Sequence, residues 1–95
     1  MIEDTVRLDG NAAAGPLSRF FAFDPTLLTI TCANCGVESP LARLHLFGGT
    51  HGIILRCIAC GDVNLRSAEV GGSLRLDLRG AALLTLRARL LPSGR

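Results

Sequence analysis

The apolar positions of the chain change their period after the first segment, and this change predicts two kinds of structure. Over residues 8–23, Ala13, Leu17 and Phe20 recur at the spacing that places side chains on one face of a helix. Asp9 precedes them in the position of an N-cap residue, and the alanines that follow it favour helix formation. We therefore predict an N-terminal helical segment over residues 8–23.

A proline interrupts this helical segment. Because Pro16 has no backbone N–H, the helix is expected either to kink there or to restart with Pro16 in its first turn. Phe20, Phe21 and Phe23 are three of the four aromatic residues in the chain. They are expected to anchor the segment on a sheet, and the alternative is a surface on which a partner docks.

The next part of the chain alternates with the two-residue period of β-strands. Residues 28–32 carry their apolar side chains on one face, residues 41–47 alternate, and residues 53–57 return as the next strand to the second pair of cysteines. The glycine-rich residues 48–52 lie between the last two runs. This order predicts one strand followed by a β-hairpin.

Strand signals continue toward the C-terminus. Residues 63–66 resume a strand, Gly71 and Gly72 mark a turn, and residues 74–79 alternate leucine with charged residues, as in a half-buried strand. Residues 81–91 also alternate, but their composition is typical of a helix. A strand is the favoured prediction for them, with a helix as the alternative.

The four cysteines form two matching motifs, which follow two of the predicted strands. They read C-A-N-C-G at residues 32–36 and C-I-A-C-G at residues 57–61, with 21 residues between Cys35 and Cys57. Two residues between paired thiols allow one tight turn to direct both sulfurs at a common point, and two such turns supply a tetrahedral zinc site. The glycine after each motif suits a sharp turn of the backbone. The predicted ligands of one structural Zn²⁺ are Cys32, Cys35, Cys57 and Cys60.

Four cysteines can also form disulfides, act as a redox pair or bind iron. Two disulfides are disfavoured because residues 1–4 lack the basic start of a secretory signal, so a reducing cytoplasmic location is expected. A redox pair would normally be a single C-x-x-C motif at a strand-to-helix junction. Iron remains open as an alternative, because thiolates also hold iron.

Length and composition indicate one small folded domain over residues 1–95. The chain is 48% apolar and 19% charged, which is too apolar for a disordered segment. We divide the domain into the helical segment 8–23, a zinc-ribbon core over 26–80, and a strand or helix with a tail over 81–95. No apolar run reaches the roughly 18 residues that a membrane span needs, so no membrane partner is expected.

The basic residues are ten arginines and no lysine, and the formal net charge is +2. Four thiolates around one Zn²⁺ add about −2 to this formal charge, so the metal-bound protein would lie close to neutrality. The distribution still matters, because arginines concentrate in the C-terminal half. The candidate contacts for an anionic partner are Arg75, Arg79, Arg87 and Arg89.

The sequence gives no reason to expect an enzyme. Four thiolates close a tetrahedral site and leave no coordination position for a reacting water. His45 and His51 are expected to face solvent or a partner rather than a metal. No nucleophile with an oriented base and no phosphate-binding loop is present in the sequence, and no small-molecule substrate is indicated.

Three segments together carry a family resemblance. L-D-G-N-A-A-A-G at residues 8–15, the two C-x-x-C-G motifs, and L-D-L-R-G at residues 76–80 resemble a small, uncharacterised bacterial family of zinc-ribbon-like proteins. The resemblance implies a cytoplasmic protein of one domain with no known activity. It carries over the four metal ligands and no catalytic or partner-binding residue.

The sequence therefore predicts a small α+β zinc-binding domain, with an N-terminal helix packed on an antiparallel zinc-ribbon sheet. We expect a non-enzymatic interaction module that binds another protein or a second copy of itself, because small open sheets leave edge strands for pairing. The alternative is a nucleic-acid-binding ribbon that uses the arginine face. A thiol-based redox or metal sensor is a minor alternative.

Overall fold

The computed structural model describes residues 7–49 and 51–87, which form eight β-strands and one short α-helix. The strands are β1 (Arg7–Asp9), β2 (Thr29–Cys32), β3 (Glu38–Pro40), β4 (His45–Gly49), β5 (Gly52–Arg56), β6 (Val63–Val70), β7 (Ser73–Asp77) and β8 (Ala81–Thr85). The helix α1 spans Ala14–Leu17, and 3-10 turns span Gly10–Ala13, Pro25–Leu27 and Leu41–Arg43. None of the described helices is long and apolar enough to cross a membrane.

The strands form two antiparallel sheets. The larger sheet has five strands in the order β1-β4-β5-β6-β7, and the smaller has three in the order β3-β2-β8. The chain thus crosses between sheets three times, since β2 and β3 lie in the small sheet between β1 and β4, and β8 returns to it after β7. The predicted combination of a small helical segment and antiparallel strands is confirmed.

The helical segment is shorter than the sequence predicted. Residue 8 belongs to β1, and helical structure runs only from Gly10 to Leu17. Asp9 begins it as predicted, because its carboxylate accepts a hydrogen bond of 3.1 Å from the backbone N–H of Asn11. Pro16 lies in the first turn of α1, which confirms the second of the two alternatives. Glycine and proline at residues 15 and 16 weaken the helix, which gives way to turns before the phenylalanines.

The core lies between the helical segment and one face of the five-stranded sheet. Leu46, Leu55 and Leu65 stand side by side on β4, β5 and β6, and they are at most 3% exposed. Leu17 packs into the same cluster from α1. Phe20, Phe21 and Phe23 are partly buried against this core, as expected for anchoring residues.

The central strands follow the predicted alternation with one exception. Leu28, Ile30 and Cys32 are buried along β2 while the threonines between them are half-exposed, and the β4–β5 hairpin forms as predicted. Residues 41–43 form a 3-10 turn instead of continuing the strand. The turn arises because the N–H of Leu41 donates to the Leu28 carbonyl at 2.8 Å, which fixes buried Leu41 beside β2.

The C-terminal strands are only partly buried. Gly71 and Gly72 have φ angles of 57° and 82°, and this left-handed backbone closes the tight β6–β7 hairpin. Leu74 on β7 is 40% exposed, so the leucine face predicted there is not fully covered by described residues. Residues 81–85 form a strand, as favoured, and it pairs with β2 in the small sheet. The remainder of the predicted tail, residues 88–95, lies outside the described residues.

Candidate metal centre

The four cysteine sulfurs lie together at the junction of the two sheets. All four Sγ atoms lie within 4.8 Å of one another, and the Cys32–Cys60 and Cys35–Cys57 Sγ distances are both 3.7 Å. A tetrahedral metal with bonds of about 2.3 Å to sulfur needs sulfurs about 3.8 Å apart. The cluster can therefore hold one four-coordinate metal ion, and the predicted ligands are brought together.

The two motifs, which we call the first knuckle (residues 32–36) and the second knuckle (residues 57–61), have the same local geometry. The N–H of Asn34 donates to the Cys32 sulfur at 3.4 Å, and the N–H of Ala59 donates to the Cys57 sulfur at 3.3 Å. In each knuckle the glycine N–H donates to the carbonyl of the first cysteine at 3.0 Å. These turns aim both sulfurs of a pair to one side.

The glycine that ends each knuckle has a backbone conformation that other residues rarely adopt. Gly36 has a φ of 78° and Gly61 has a φ of 83°. No atom lies within 4 Å of the position that a Cβ would take at either residue, so the requirement for glycine comes from the backbone alone. The sequence repeat C-x-x-C-G is thus explained by a repeated turn.

The cluster joins the two sheets. Cys32 is the last residue of β2 in the small sheet, whereas Cys57 directly follows β5 in the large sheet. Both are 2% exposed, while Cys35 and Cys60 at the tips of the knuckles are exposed. A metal held here would tie the ends of the two sheets together and leave one side of its coordination shell close to solvent.

The thiols differ in how readily they ionise. Burial opposes ionisation of Cys32, but the backbone N–H groups of Cys35 and Asn34 and the amide of Asn64 stabilise its thiolate and lower its pKa to about 6. A hydrogen bond from the backbone N–H of Val37 favours the Cys35 thiolate, but partial loss of water around its sulfur and the neighbouring thiols raise its pKa to about 12. Because thiolates this close repel each other, a bound dication is what would allow all four to be ionised together.

The first knuckle has supports that sequence reasoning did not identify. Its Ala33 N–H donates to the Gly80 carbonyl at 2.9 Å, and the buried Asn64 amide donates to the same oxygen at 3.0 Å. A Cβ at Gly80 would overlap the carbonyl oxygen of Val63, so only glycine allows this approach. The signal in the sequence is the L-D-L-R-G segment at residues 76–80, which ends at Gly80.

The second knuckle is supported differently. The guanidinium of Arg56, which precedes Cys57, donates to the Gly61 carbonyl at 3.0 Å. The same guanidinium lies over the ring of Phe47 at 5.7 Å from its centroid. The Arg56 side chain therefore stabilises the second knuckle by binding the backbone of Gly61. The Asn34 side chain of the first knuckle also reaches across to the Cys60 sulfur at 3.5 Å.

The structure separates the arginines that were predicted to form one face. Arg75 lies on β7 and Arg79 follows that strand, and both line a groove on the large sheet. Arg87 follows β8 in the small sheet and lines a different groove. The prediction of one arginine face is therefore wrong for Arg87, because β8 crosses to the other sheet. Arg89 lies outside the described residues.

The acidic residues of the family segments serve local structure. Asp9 caps the helical segment, and Asp77 accepts bonds from the N–H and guanidinium of Arg79 and from the Arg66 guanidinium at 3.3 Å. The hydrogen bonds from Arg79 lower the pKa of Asp77 well below its usual range, and Asp77 raises the pKa of Arg79 in return. Asn11 and Asp77 line separate grooves and do not share a pocket.

Comparison with known proteins identifies a family and little else. No curated protein and no solved structure matches the chain. One family model, described as a family of unknown function (DUF6510), matches residues 3–89. This span contains both knuckles and all three segments that carried the predicted resemblance. The chain therefore belongs to the family of unknown function DUF6510.

Proposed function

We propose that this protein is a structural zinc ribbon that acts as an interaction module without enzymatic activity. The observation that carries the proposal is the cluster of four sulfurs within 4.8 Å of one another, presented by two equivalent knuckles. Two C-x-x-C motifs at this separation are typical of structural zinc, which takes four thiolates in tetrahedral geometry. One Zn²⁺ per chain would be bound by Cys32, Cys35, Cys57 and Cys60.

The placement of the cluster supports a structural role for the zinc. The ion would connect the end of β2 to the start of the second knuckle, and so would hold the small sheet against the large one. With four protein ligands, zinc keeps no open position for water, so metal-assisted hydrolysis is not expected. In a chain of 95 residues, whose core is small, metal binding is expected to supply much of the folding free energy.

The edge of the small sheet supports interaction with a protein partner. Among the described strands β8 pairs only with β2, so its other edge is free to pair with a further strand. Leu83 on β8 is 60% exposed, and the strand is rich in apolar residues. An exposed apolar edge strand favours addition of an extended segment from a partner, of which a second copy of this chain is the simplest example.

Native mass spectrometry of purified protein tests the metal assignment. We expect one zinc per chain, and circular dichroism should show loss of the folded state when a chelator removes it. Iron, or a fold that is indifferent to chelation, would contradict the proposal and would favour redox chemistry at the same thiols.

Light scattering during size-exclusion chromatography tests the interaction edge. We expect the zinc-bound protein to associate as its concentration rises, and Leu83→Lys to weaken that association because a charge on an edge strand opposes pairing. Leu27→Lys is the matched control, since Leu27 is 42% exposed and lies in a 3-10 turn outside the sheets. This part of the proposal would be contradicted by two results together. The protein would be a monomer at every concentration, and a pull-down with the wild type would capture no protein that Leu83→Lys fails to capture.

A further inference from the structure

A groove of about 690 Å³ lies over the face of the five-stranded sheet opposite to the core. Cross-strand pairing places Phe47, Ile54, Arg66 and Asp77 in one row across β4 to β7, and Gly49 and Arg75 in the next row. Directly paired residues in antiparallel strands have side chains on the same side. These six residues define what we call the open face.

The open face is positively charged. Arg66 and Arg75 belong to it, and Arg79 lines the same groove. The carboxylate of Asp77 is engaged by Arg79 and by Arg66, whose side chain is 52% exposed. Arg75 is exposed and makes no ion pair with the residues that the structure describes. Three guanidinium groups against one carboxylate leave a net positive groove that complements a polyanion.

The floor of the groove is flat and apolar. Phe47 and Ile54 are paired neighbours and are only half-buried. Beyond Phe47, Gly49 offers no side chain, and no atom lies within 4 Å of the position that a Cβ would take there. The Phe47 ring is half-buried, and the Arg56 guanidinium lies over it at 5.7 Å from its centroid, so a planar base would stack on the ring's other face or in place of that guanidinium.

We propose that the open face binds single-stranded nucleic acid, with a base stacked on Phe47 and phosphates contacting Arg75 and Arg79. A positively charged groove that contains an aromatic platform is the arrangement by which proteins bind single strands without sequence preference. A duplex would keep its bases stacked inside and away from the ring. An acidic peptide would satisfy the arginines but would leave the ring without a planar partner. This inference does not rest on the β8 edge, which lies in the other sheet.

Fluorescence anisotropy with the full, metal-bound chain tests this proposal. The probes are fluorescein-labelled oligothymidylate and oligouridylate of roughly ten nucleotides, within the usual site size of such grooves. Two phosphate contacts on a single strand predict a slope of about −1.4 for log affinity against log salt, or a loss of about sevenfold between about 50 and 200 mM salt.

Variants assign the binding to the groove. Arg75→Gln should reduce the salt slope by about 0.7, as expected for one lost phosphate contact. Phe47→Leu should weaken binding by about tenfold or more through the lost stacking while keeping an apolar residue. Gly49→Leu fills the groove without changing the charge and should also weaken binding. Arg87→Gln, a matched loss of one arginine from the other sheet, should bind like the wild type. Circular dichroism and zinc content confirm that each variant is folded.

Three results would overturn the proposal. The first is no binding of either oligonucleotide at about 50 mM salt, where phosphate contacts are strongest. The second is an equal loss of affinity in Arg75→Gln and Arg87→Gln, which would indicate attraction to overall charge. The third is displacement of the probe by polyglutamate at lower concentration than by unlabelled oligonucleotide, which would assign the groove to an acidic peptide.

Discussion

The two knuckles of the metal centre have the same backbone geometry in different surroundings. Corresponding hydrogen bonds differ by at most 0.2 Å, since the N–H of Cys32 donates to Val37 at 3.0 Å and that of Cys57 donates to Asp62 at 2.8 Å. The first knuckle is held by the buried Asn64 and by Gly80, more than 25 residues away in sequence from Cys32. The second knuckle is braced by Arg56, which is its neighbour in sequence.

This difference indicates which contacts each knuckle depends on. The second knuckle carries its own brace, whereas the first acquires its support only when β6 and the turn after β7 are in place. Loss of the distant support should therefore weaken the first knuckle selectively. The following experiments separate what the knuckles share from what only one of them has.

The largest effect is expected from removing a metal ligand. Cys32→Ala and Cys60→Ala each leave three of the four proposed thiolate ligands, and the proposed zinc would contribute on the order of 10 kcal/mol to folding. We expect both variants to lose zinc and to lose most of their folded signal in circular dichroism. If one of them kept a full complement of zinc and a cooperative thermal transition, the two knuckles would not be equal partners in the site.

Substitution of Gly80 should have the next largest effect. In Gly80→Ala the added Cβ meets the Val63 backbone, and overpacking of this kind costs about 2 to 3 kcal/mol. Urea denaturation of the zinc-bound protein measures the loss. Gly49→Ala is the control, because its Cβ has open space and should cost less than about 1 kcal/mol. If Gly80→Ala and Gly49→Ala unfolded at the same urea concentration, Gly80 would not be a support of the first knuckle.

Truncation of Asn64 probes the same support from β6. Asn64 is 1% exposed and donates to the Gly80 carbonyl, so Asn64→Ala should destabilise the protein by about 1 to 2 kcal/mol through the lost hydrogen bond and cavity. Competition with a chelator should also show faster release of zinc. The exposed Asn11 provides a control, and Asn11→Ala should change neither quantity. If Asn64→Ala released zinc at the wild-type rate, Asn64 would not be a support of the first knuckle.

The shared turn predicts equal penalties in both knuckles. Gly36→Ala and Gly61→Ala force an alanine into a left-handed conformation, which costs about 1 kcal/mol in each case. Since neither position has atoms near the added Cβ, the two losses should agree within about 0.5 kcal/mol. Urea denaturation measures the free energy of unfolding of both variants. A clearly larger decrease for one of them would show that contacts around that knuckle matter more than its turn conformation.

The smallest effect is expected at the ion pair that precedes Gly80. The pKa of Asp77 is lowered in the folded protein, so its contribution to stability is present above the unfolded value near 4 and is lost as the pH falls below it. Asp77→Asn should therefore be slightly less stable than the wild type at pH 7. The difference between the two proteins should shrink as the pH is lowered through 4. A constant difference across this range, measured by denaturation, would mean that the charge of Asp77 has no role.

Most of the secondary structure and the two cysteine knuckles were predictable because both depend on neighbouring residues. The alternation over residues 28–32 placed the buried side chains correctly, and the C-x-x-C-G repeat identified the knuckles. The helical segment was predicted too long because the apolar face continues through the phenylalanines, although glycine and proline end the helix at Leu17. The spacing of the apolar residues could not show that the phenylalanine side chains pack on the core from residues that follow the helix.

The surroundings of the site were not predictable in the same way. Phe47 and Arg75 lie 28 positions apart in the chain, and only the order β4-β5-β6-β7 brings them to one face of a sheet. The same topology sends β8 to the other sheet and removes Arg87 from that face. Strand order depends on which edges pair, and a pattern of period two carries no information about pairing partners.

The sequence by itself determined the turns and the pairing of cysteines within each knuckle, because a left-handed glycine and two spaced thiols act within a few residues. The tertiary structure alone decided that Gly80 and Asn64 support the first knuckle, and that an aromatic ring and three arginines share one groove. These are contacts between segments distant in the chain. They form only when burial of the leucine core selects one arrangement of the two sheets.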